Sequence, residues 1–255
     1  MPDELLKFMT YNILDGGLGR ESLILEVLAV SQPDILLLQE VTEPKVIQNF
    51  AKSLGMNYFF AEGNSKRHLG LLTRHPIIFR QSYHPFPIRT TILQATVEYK
   101  PEKHLHLFGV HLLAFSLFAF ELWRTWEISI VLREAMKYQT ELCLVAGDFN
   151  TISPTDKVDR KTLPAKIKLM YALQGERLFH KVVSKVLKAG FTDCYRSLHT
   201  ETGYTYPPPK PNTRLDYIFA NAKMKQHLRE CCVVTEPAVV HEASDHYPVL
   251  AKFKI

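Results

Sequence analysis

Short apolar runs recur from one end of the chain to the other, with the texture of β-strands. LKFMTYNIL, DILLLQEV, LGLLTRHPIIF, TILQATVEY, HLHLFGVHLL, LCLVAGDF, RLDYIFAN and YPVLAKFKI either alternate apolar with polar residues, as half-buried strands do, or stay apolar, as strands covered on both faces do. Between them the apolar spacing changes to that of helices. ESLILEVLAVSQP predicts an amphipathic helix stopped by Pro33, and ELWRTWEISIVLREAMKYQ a long one. Strands and helices alternate with no break in composition to mark a linker. Residues 1–255 are therefore read as one α/β domain with helices covering a sheet or sheets.

Two segments depart from this pattern. Pro154 to Lys188 carries nine Lys or Arg against Asp156, Asp159 and Glu176, an excess of six positive charges where the whole chain has five. Its second half, GERLFHKVVSKVLKAGF, predicts a helix with a basic face ended by Gly190. YTYPPPKPNTR is a proline-rich loop that cannot hold regular structure.

Composition narrows the class without naming a partner. With 46% hydrophobic and 22% charged residues the chain has ample material for a core. The net charge of +5 suits a phosphate-bearing partner but is too small to require one. Cys143, Cys194, Cys231 and Cys232 show no CxxC spacing, which suggests neither a zinc site nor a disulfide framework and favours a reducing compartment. MPDELLKF lacks a basic segment followed by an apolar one, so a cytoplasmic location is expected. The most apolar stretch, Leu105 to Phe120, is shorter than a membrane span and contains two histidines.

Polar residues stand at the ends of the apolar strands. Asn12 interrupts MTYNIL, Glu40 follows DILLLQ, His111 ends FGVH, and Asp148 and Asn150 end LVAGDFN. Asp216 lies inside RLDYIF, and Asp245 and His246 precede the last strand. Singly, each reads as a turn former or a packed side chain. Asp216 is harder to place so, because an unpaired carboxylate inside a strand is costly, although Arg214 or Lys223 would satisfy it. Together they are four carboxylates, two amides and two imidazoles where strands end, and strand ends on one side of a sheet converge. Such hard oxygen donors suit Mg²⁺ or Mn²⁺ rather than zinc. The set fits attack of water on a phosphate ester, with a carboxylate–imidazole pair preparing the water.

In order, TYNI, LLLQE, VHL, AGDFN, RLDYIF and SDHYPV closely resemble the endonuclease/exonuclease/phosphatase superfamily, from about Lys7 to Phe253. The resemblance implies a four-layer α/β sandwich: two mostly antiparallel sheets face to face with helices outside. It implies that Asn12 and Glu40, with Asp245, hold the metal, and that Asp148 and Asn150 orient the attacking water and the phosphate. It implies that Asp216 and His246 form the carboxylate–histidine pair beside the scissile phosphate, and that His111 donates to phosphate or assists the leaving group. The general base stays open between the Asp–His pair and Asp148. Many members have an acidic residue two positions after the first Asn. Here that position is Leu14, and Asp15, one step on, would face away along a continuing strand. His111 stands where the apurinic-site branch has a tyrosine-containing motif, and Arg74 resembles a position of the phosphatase-like branches.

The implied function is Mg²⁺-dependent hydrolysis of a phosphate ester, most simply a diester, by a chain acting as a monomer. The alternative is a catalytically silent scaffold that keeps the fold, and every expected catalytic position being present speaks against it. Two substrate classes are left. For nucleic acid, the basic 154–188 segment would grip the backbone and Tyr204 and Tyr206 would stack on a base. For a phospholipid headgroup or inositol phosphate, Phe115, Leu117, Phe118 and Phe120, with Trp123 and Trp126, would form a lip making peripheral contact with a membrane.

Overall fold

The computed structural model describes residues 5–63, 66–84, 90–114, 118–163, 165, 168–169, 172 and 179–255. Among these residues, twelve strands form two six-stranded sheets. The first contains β1 (Leu6–Asn12), β2 (Ile35–Val41), β3 (Asn57–Ala61), β4 (His68–Thr73), β11 (Leu228–Val233) and β12 (Val249–Phe253), in the order β11-β12-β1-β2-β4-β3. The second contains β5 (Ile77–Tyr83), β6 (Ile92–Lys100), β7 (Lys103–His111), β8 (Leu142–Asp148), β9 (Thr192–Asp193) and β10 (Asp216–Ala220), in the order β5-β6-β7-β8-β10-β9. Each sheet has one parallel pair, β1–β2 in the first and β7–β8 in the second, and every other pairing is antiparallel.

Alternation along the strands sorts side chains into layers. Phe8, Leu37, Leu107, Leu144, Ile218 and Phe253 meet between the sheets. Met9, Tyr11, Leu36 and Leu38 point the other way, to α1 (Glu21–Ser31), α2 (Pro44–Leu54) and the short helix Val240–Ala243. Phe108, Val145, Tyr217 and Phe219 face α3 (Phe118–Ala135) and α4 (Lys181–Lys188) on the far side of the second sheet. The four layers are those expected.

LGLLTRHPIIF, one run in the sequence, is two strands in different sheets. It breaks at Arg74–Pro76, where a proline has no N–H for the ladder and the Thr73 hydroxyl accepts from His75 N at 3.0 Å. The first helix ends in Gln32 in the left-handed region, just before Pro33. The basic helix is described from Lys181, and Lys166, Glu176 and Arg177 lie outside the described residues. All four cysteines are free.

Gly147 lets the centre of the second sheet close up. Its φ is +136°, and a Cβ there would lie 1.9 Å from the Val110 carbonyl oxygen. No other residue fits beside the strand that carries His111.

Candidate active site

The site residues sit at one end of the layer between the sheets. On β1 the inter-sheet positions are Phe8, Thr10 and Asn12; on β8 they are Leu144, Ala146 and Asp148; on β10, Asp216 begins the same face. Register then fixes the neighbours. His111 on β7 pairs with Asp148 on β8, and Asp148 pairs with Asp216 on β10, so three polar residues stand in a row across adjacent strands. Asn12, in the first sheet, pairs with Gln39 on the neighbouring strand.

Glu40 joins them through a β-bulge. The register of β2 against β4 shifts between Gln39 and Val41, and Glu40 has φ +62°. Val41 thereby takes the helix-facing place, and the Glu40 carboxylate turns into the site.

The contacts form one network. Asn12 Nδ2 donates to Glu40 Oε1 at 3.3 Å and to Asp148 Oδ2 at 3.1 Å. Asp148 Oδ1 accepts from Asn150 N at 2.8 Å, while Asn150 Nδ2 reaches Leu112 O at 2.9 Å and Asp148 Oδ2 at 3.3 Å. Asn150 has φ +48°, a region asparagine tolerates. His246 and Asp216 meet Nδ1 to Oδ2 at 2.8 Å. This leaves His246 Nε2 facing Asp148 Oδ2 at 3.8 Å. His111 Nε2 is 3.6 Å from Asp148 Oδ2 and 3.8 Å from Glu40 Oε1. The Tyr206 ring packs against His246 with centroids 4.9 Å apart.

Burial and charge separate the protonation states of these groups. Burial drives the Asp148 carboxyl up to about 7 even though His246 opposes it. Burial would lower His246, but Asp216 and Asp148 outweigh it and raise the imidazole to about 10. His111, buried and facing the His246 charge, is pushed down to about 3. Burial and charge thus favour a protonated His246, a neutral His111 and an Asp148 carboxyl that keeps its proton above the usual carboxylate range.

The donors fit a hard divalent cation. Asp148, Asp216 and His246 bring one donor atom each within 4.8 Å of one another, although His246 would have to lose its proton to ligate. The buried oxygens Asp216 Oδ1 and Asp245 Oδ1 have no hydrogen-bond partner. Burial and the nearby Glu40 and Asp216 carboxylates raise the Asp245 carboxyl against the pull of His246, so a cation placed among these carboxylates would relieve their repulsion. Carboxylate oxygens without a thiolate suit Mg²⁺, Mn²⁺ or Ca²⁺.

Most of the residues expected from the sequence come together here: Asn12, Glu40, His111, Asp148, Asn150, Asp216 and His246, with Asp245 beside them in sequence. Four residues weighed in the sequence take definite places. Asn12 turns Nδ2 to the carboxylates and gives Oδ1 to Leu14 N at 3.1 Å, so as placed it donates hydrogen bonds and would bind metal only with its amide turned over. The β1 strand ends at Asn12, and the Asp15 carboxylate meets exposed Arg67 at 3.0 Å; only its backbone N reaches Glu40 Oε2, at 3.0 Å. Arg214 does not pair with Asp216 but is buried between Asp156 and Asp193, at 2.8 and 2.6 Å. Arg74 stands beside Asp34, at the opposite end of β2.

Two contributors escaped the sequence reading. Ser244 Oγ donates to Asn12 O at 2.6 Å and accepts from His246 N at 3.4 Å, tying the SDH turn to β1. It lies inside a motif already singled out. Arg67 Nη1 lies 3.2 Å from Glu40 Oε1, and nothing in its local sequence marks it.

A two-sheet sandwich with this constellation at the end of its central layer defines the class of metal-dependent phosphoester hydrolases. Residues 9–246 match the model of the Endonuclease/Exonuclease/phosphatase family, and the chain belongs to that family. No curated protein sequence matches it. Among solved structures it is similar to the 3' phosphatase NExo from Neisseria bound to product DNA hairpin, with TM-score 0.76, 20% identity and coverage of 98% of this chain and 100% of that one. It is also similar to an AP endonuclease from Archaeoglobus fulgidus, with TM-score 0.75, 18% identity and coverage of 98% and 100%. D. rerio TDP2 complexed with single strand DNA product gives TM-score 0.70, 18% identity and coverage of 99% and 100%. At these identities the likeness establishes the shared fold.

Proposed function

We propose that the protein is a Mg²⁺-dependent phosphodiesterase that directs water onto phosphorus. The observation that carries this is the row of His111, Asp148 and Asp216 across three adjacent strands, with His246 locked to Asp216 and facing Asp148. Glu40, Asp245 and a turned Asn12 would hold the cation, which when bound offsets the charge that builds on the phosphate oxygens.

The chain's own groups divide the remaining work. Asp216 accepts from His246 Nδ1 and fixes the ring so that Nε2–H points into the site. His246, charged at neutral pH, donates to a non-bridging phosphate oxygen. Asp148 is oriented by Asn12 and Asn150 and held near 7, suiting it to take the proton of the attacking water. His111, neutral, offers an N–H toward the leaving group.

Two substrate classes have support. Two structures of similar fold, NExo and D. rerio TDP2, hold a DNA product, which favours nucleic acid. The apolar outer face of α3 favours phosphoesters at a lipid surface. The test is turnover in Mg²⁺ and in excess chelator on single- and double-stranded DNA and RNA, on sphingomyelin or phosphoinositide vesicles, and on a soluble aryl diester. Cleavage that disappears on chelation while circular dichroism is unchanged supports the proposal. Full turnover in chelator removes the cation from the mechanism.

A further inference from the structure

The first half of α3 is inside out. Its buried positions are Glu121, Arg124 and Glu127, one turn apart, while Phe118, Leu122 and Trp126 on the outer side are 46%, 45% and 38% exposed. An ordinary surface helix shows the reverse.

The inward charges are fully occupied. Glu121 Oε2 accepts from Arg124 Nη2 at 3.0 Å and Thr151 Oγ1 at 2.9 Å, and its Oε1 accepts from Val182 N at 3.2 Å. Arg124 Nη1 donates to Leu113 O at 2.7 Å, and Glu127 accepts from Thr90 and Trp123. Leu113 follows His111 and Thr151 follows Asp148, so the helix clamps the loops behind two site residues. Rotating it to hide Leu122 and Trp126 would strip buried charges of their partners, at prohibitive cost. The clamp therefore holds the apolar ridge outward.

The neighbouring helix supplies charge. α4 packs beside α3, buries Val182, Val183 and Val186, and exposes Lys181, Lys185 and Lys188. Lys181 Nζ lies 5.0 Å from the centre of the Phe118 ring, so the cationic edge and the apolar ridge are one continuous surface.

We propose that this α3–α4 face seats the protein on an anionic lipid surface. Leu122 and Trp126 enter the headgroup boundary, and the lysines of α4 meet anionic headgroups. The chemistry matches a bilayer better than a protein or a nucleic acid: an aliphatic and an aromatic side chain projecting outward beside a cationic helix need an acyl boundary and negative charge together. The docking stands on the surface alone. That the bilayer also supplies the phosphoester cleaved rests on the phosphodiesterase reading.

Both tryptophans of the chain, Trp123 and Trp126, lie on this helix, so intrinsic fluorescence reports on this face directly. The full chain is mixed with phosphatidylcholine vesicles with and without phosphatidylserine, at low and high salt, and with brominated acyl chains as quencher. The expected result is a blue shift and quenching with phosphatidylserine vesicles, weakened by salt. Leu122→Ser or Trp126→Ser should lower partitioning on the order of tenfold, and Lys185→Glu by about fivefold or more. Trp126→Phe should retain it, and turnover of a soluble diester should stay at the wild-type level in all four variants. No partitioning, or equal partitioning by the serine variants, overturns the proposal. So does an oligonucleotide that displaces the vesicles and whose own binding depends on Leu122, since the face would then serve nucleic acid. Vesicle binding by a protein inert toward the soluble diester would refute the hydrolase and leave the docking intact.

Discussion

At the scale of single residues, Asp148 carries the sharpest tension. Its carboxyl is held at about 7 by burial, against an ordinary value of 3.8. The folded state therefore binds that proton more tightly than the unfolded chain, and stability is lost as pH rises from about 4 to about 7. His246, raised above its ordinary 6.5 to about 10, contributes stability that is complete below 6.5 and lost progressively as pH rises from 6.5 to about 10, so it meets the Asp148 window only at its upper end. In chelator, the margin by which Asp148→Asn melts above the wild type should grow from pH 5 to pH 7.5, while activity is lost. An equal difference at both values would mean that the native carboxyl is not strained.

The identities of these residues were legible in the sequence because strands announce their ends. An amide, acid or imidazole after an unbroken apolar run has few places to go, and the register brings such ends together. What each atom does was not legible. Which way the Asn12 amide faces, and that Arg67 reaches Glu40 from a distant loop, depend on tertiary neighbours with no local signature.

At the scale of elements, the long central strands were readable because their burial is nearly continuous. The edges were not. β3 is five residues with two exposed at its start, and β9 only two residues, so neither shows a period. α2 carried signals that went unread: Pro44 in its first turn and Gly55 as a left-handed cap. The Glu40 bulge was invisible, because QEV reads like any strand end until the β4 pairing is known. α3 was read as a helix, but its inverted faces follow from contacts with two loops. The tight β7–β8 contact makes a separate prediction. Gly147→Ala puts a methyl group against the Val110 carbonyl and should destabilise the fold by more than about 1 kcal/mol. Thermal unfolding checks this, and an unchanged midpoint would show that the strands can part there.

At the scale of the whole molecule, the sandwich brings together strand ends from sequence positions as far apart as Asn12 and His246. The two parallel pairs run toward the same end of the sandwich, so their carboxyl-terminal tips meet there. Concentrated negative charge at that end gives the folded state a cation site that an unfolded chain lacks. Mg²⁺ at about 100 times its Kd should therefore stabilise the fold by about 2.7 kcal/mol, seen as a rise in melting temperature that chelator reverses. A melting temperature indifferent to Mg²⁺ would argue that the carboxylates hold no ion.

The central claim is that Asp216 and His246 act as a unit beside the scissile phosphate, and turnover of a soluble diester in Mg²⁺ tests it most directly. Wild type, His246→Ala and Asp216→Ala would be compared, with circular dichroism confirming that each is folded. Each variant should lose roughly 10²- to 10⁴-fold in kcat, and the double variant little more than the worse single one. A folded His246→Ala or Asp216→Ala protein that turns over near the wild-type rate would contradict the account.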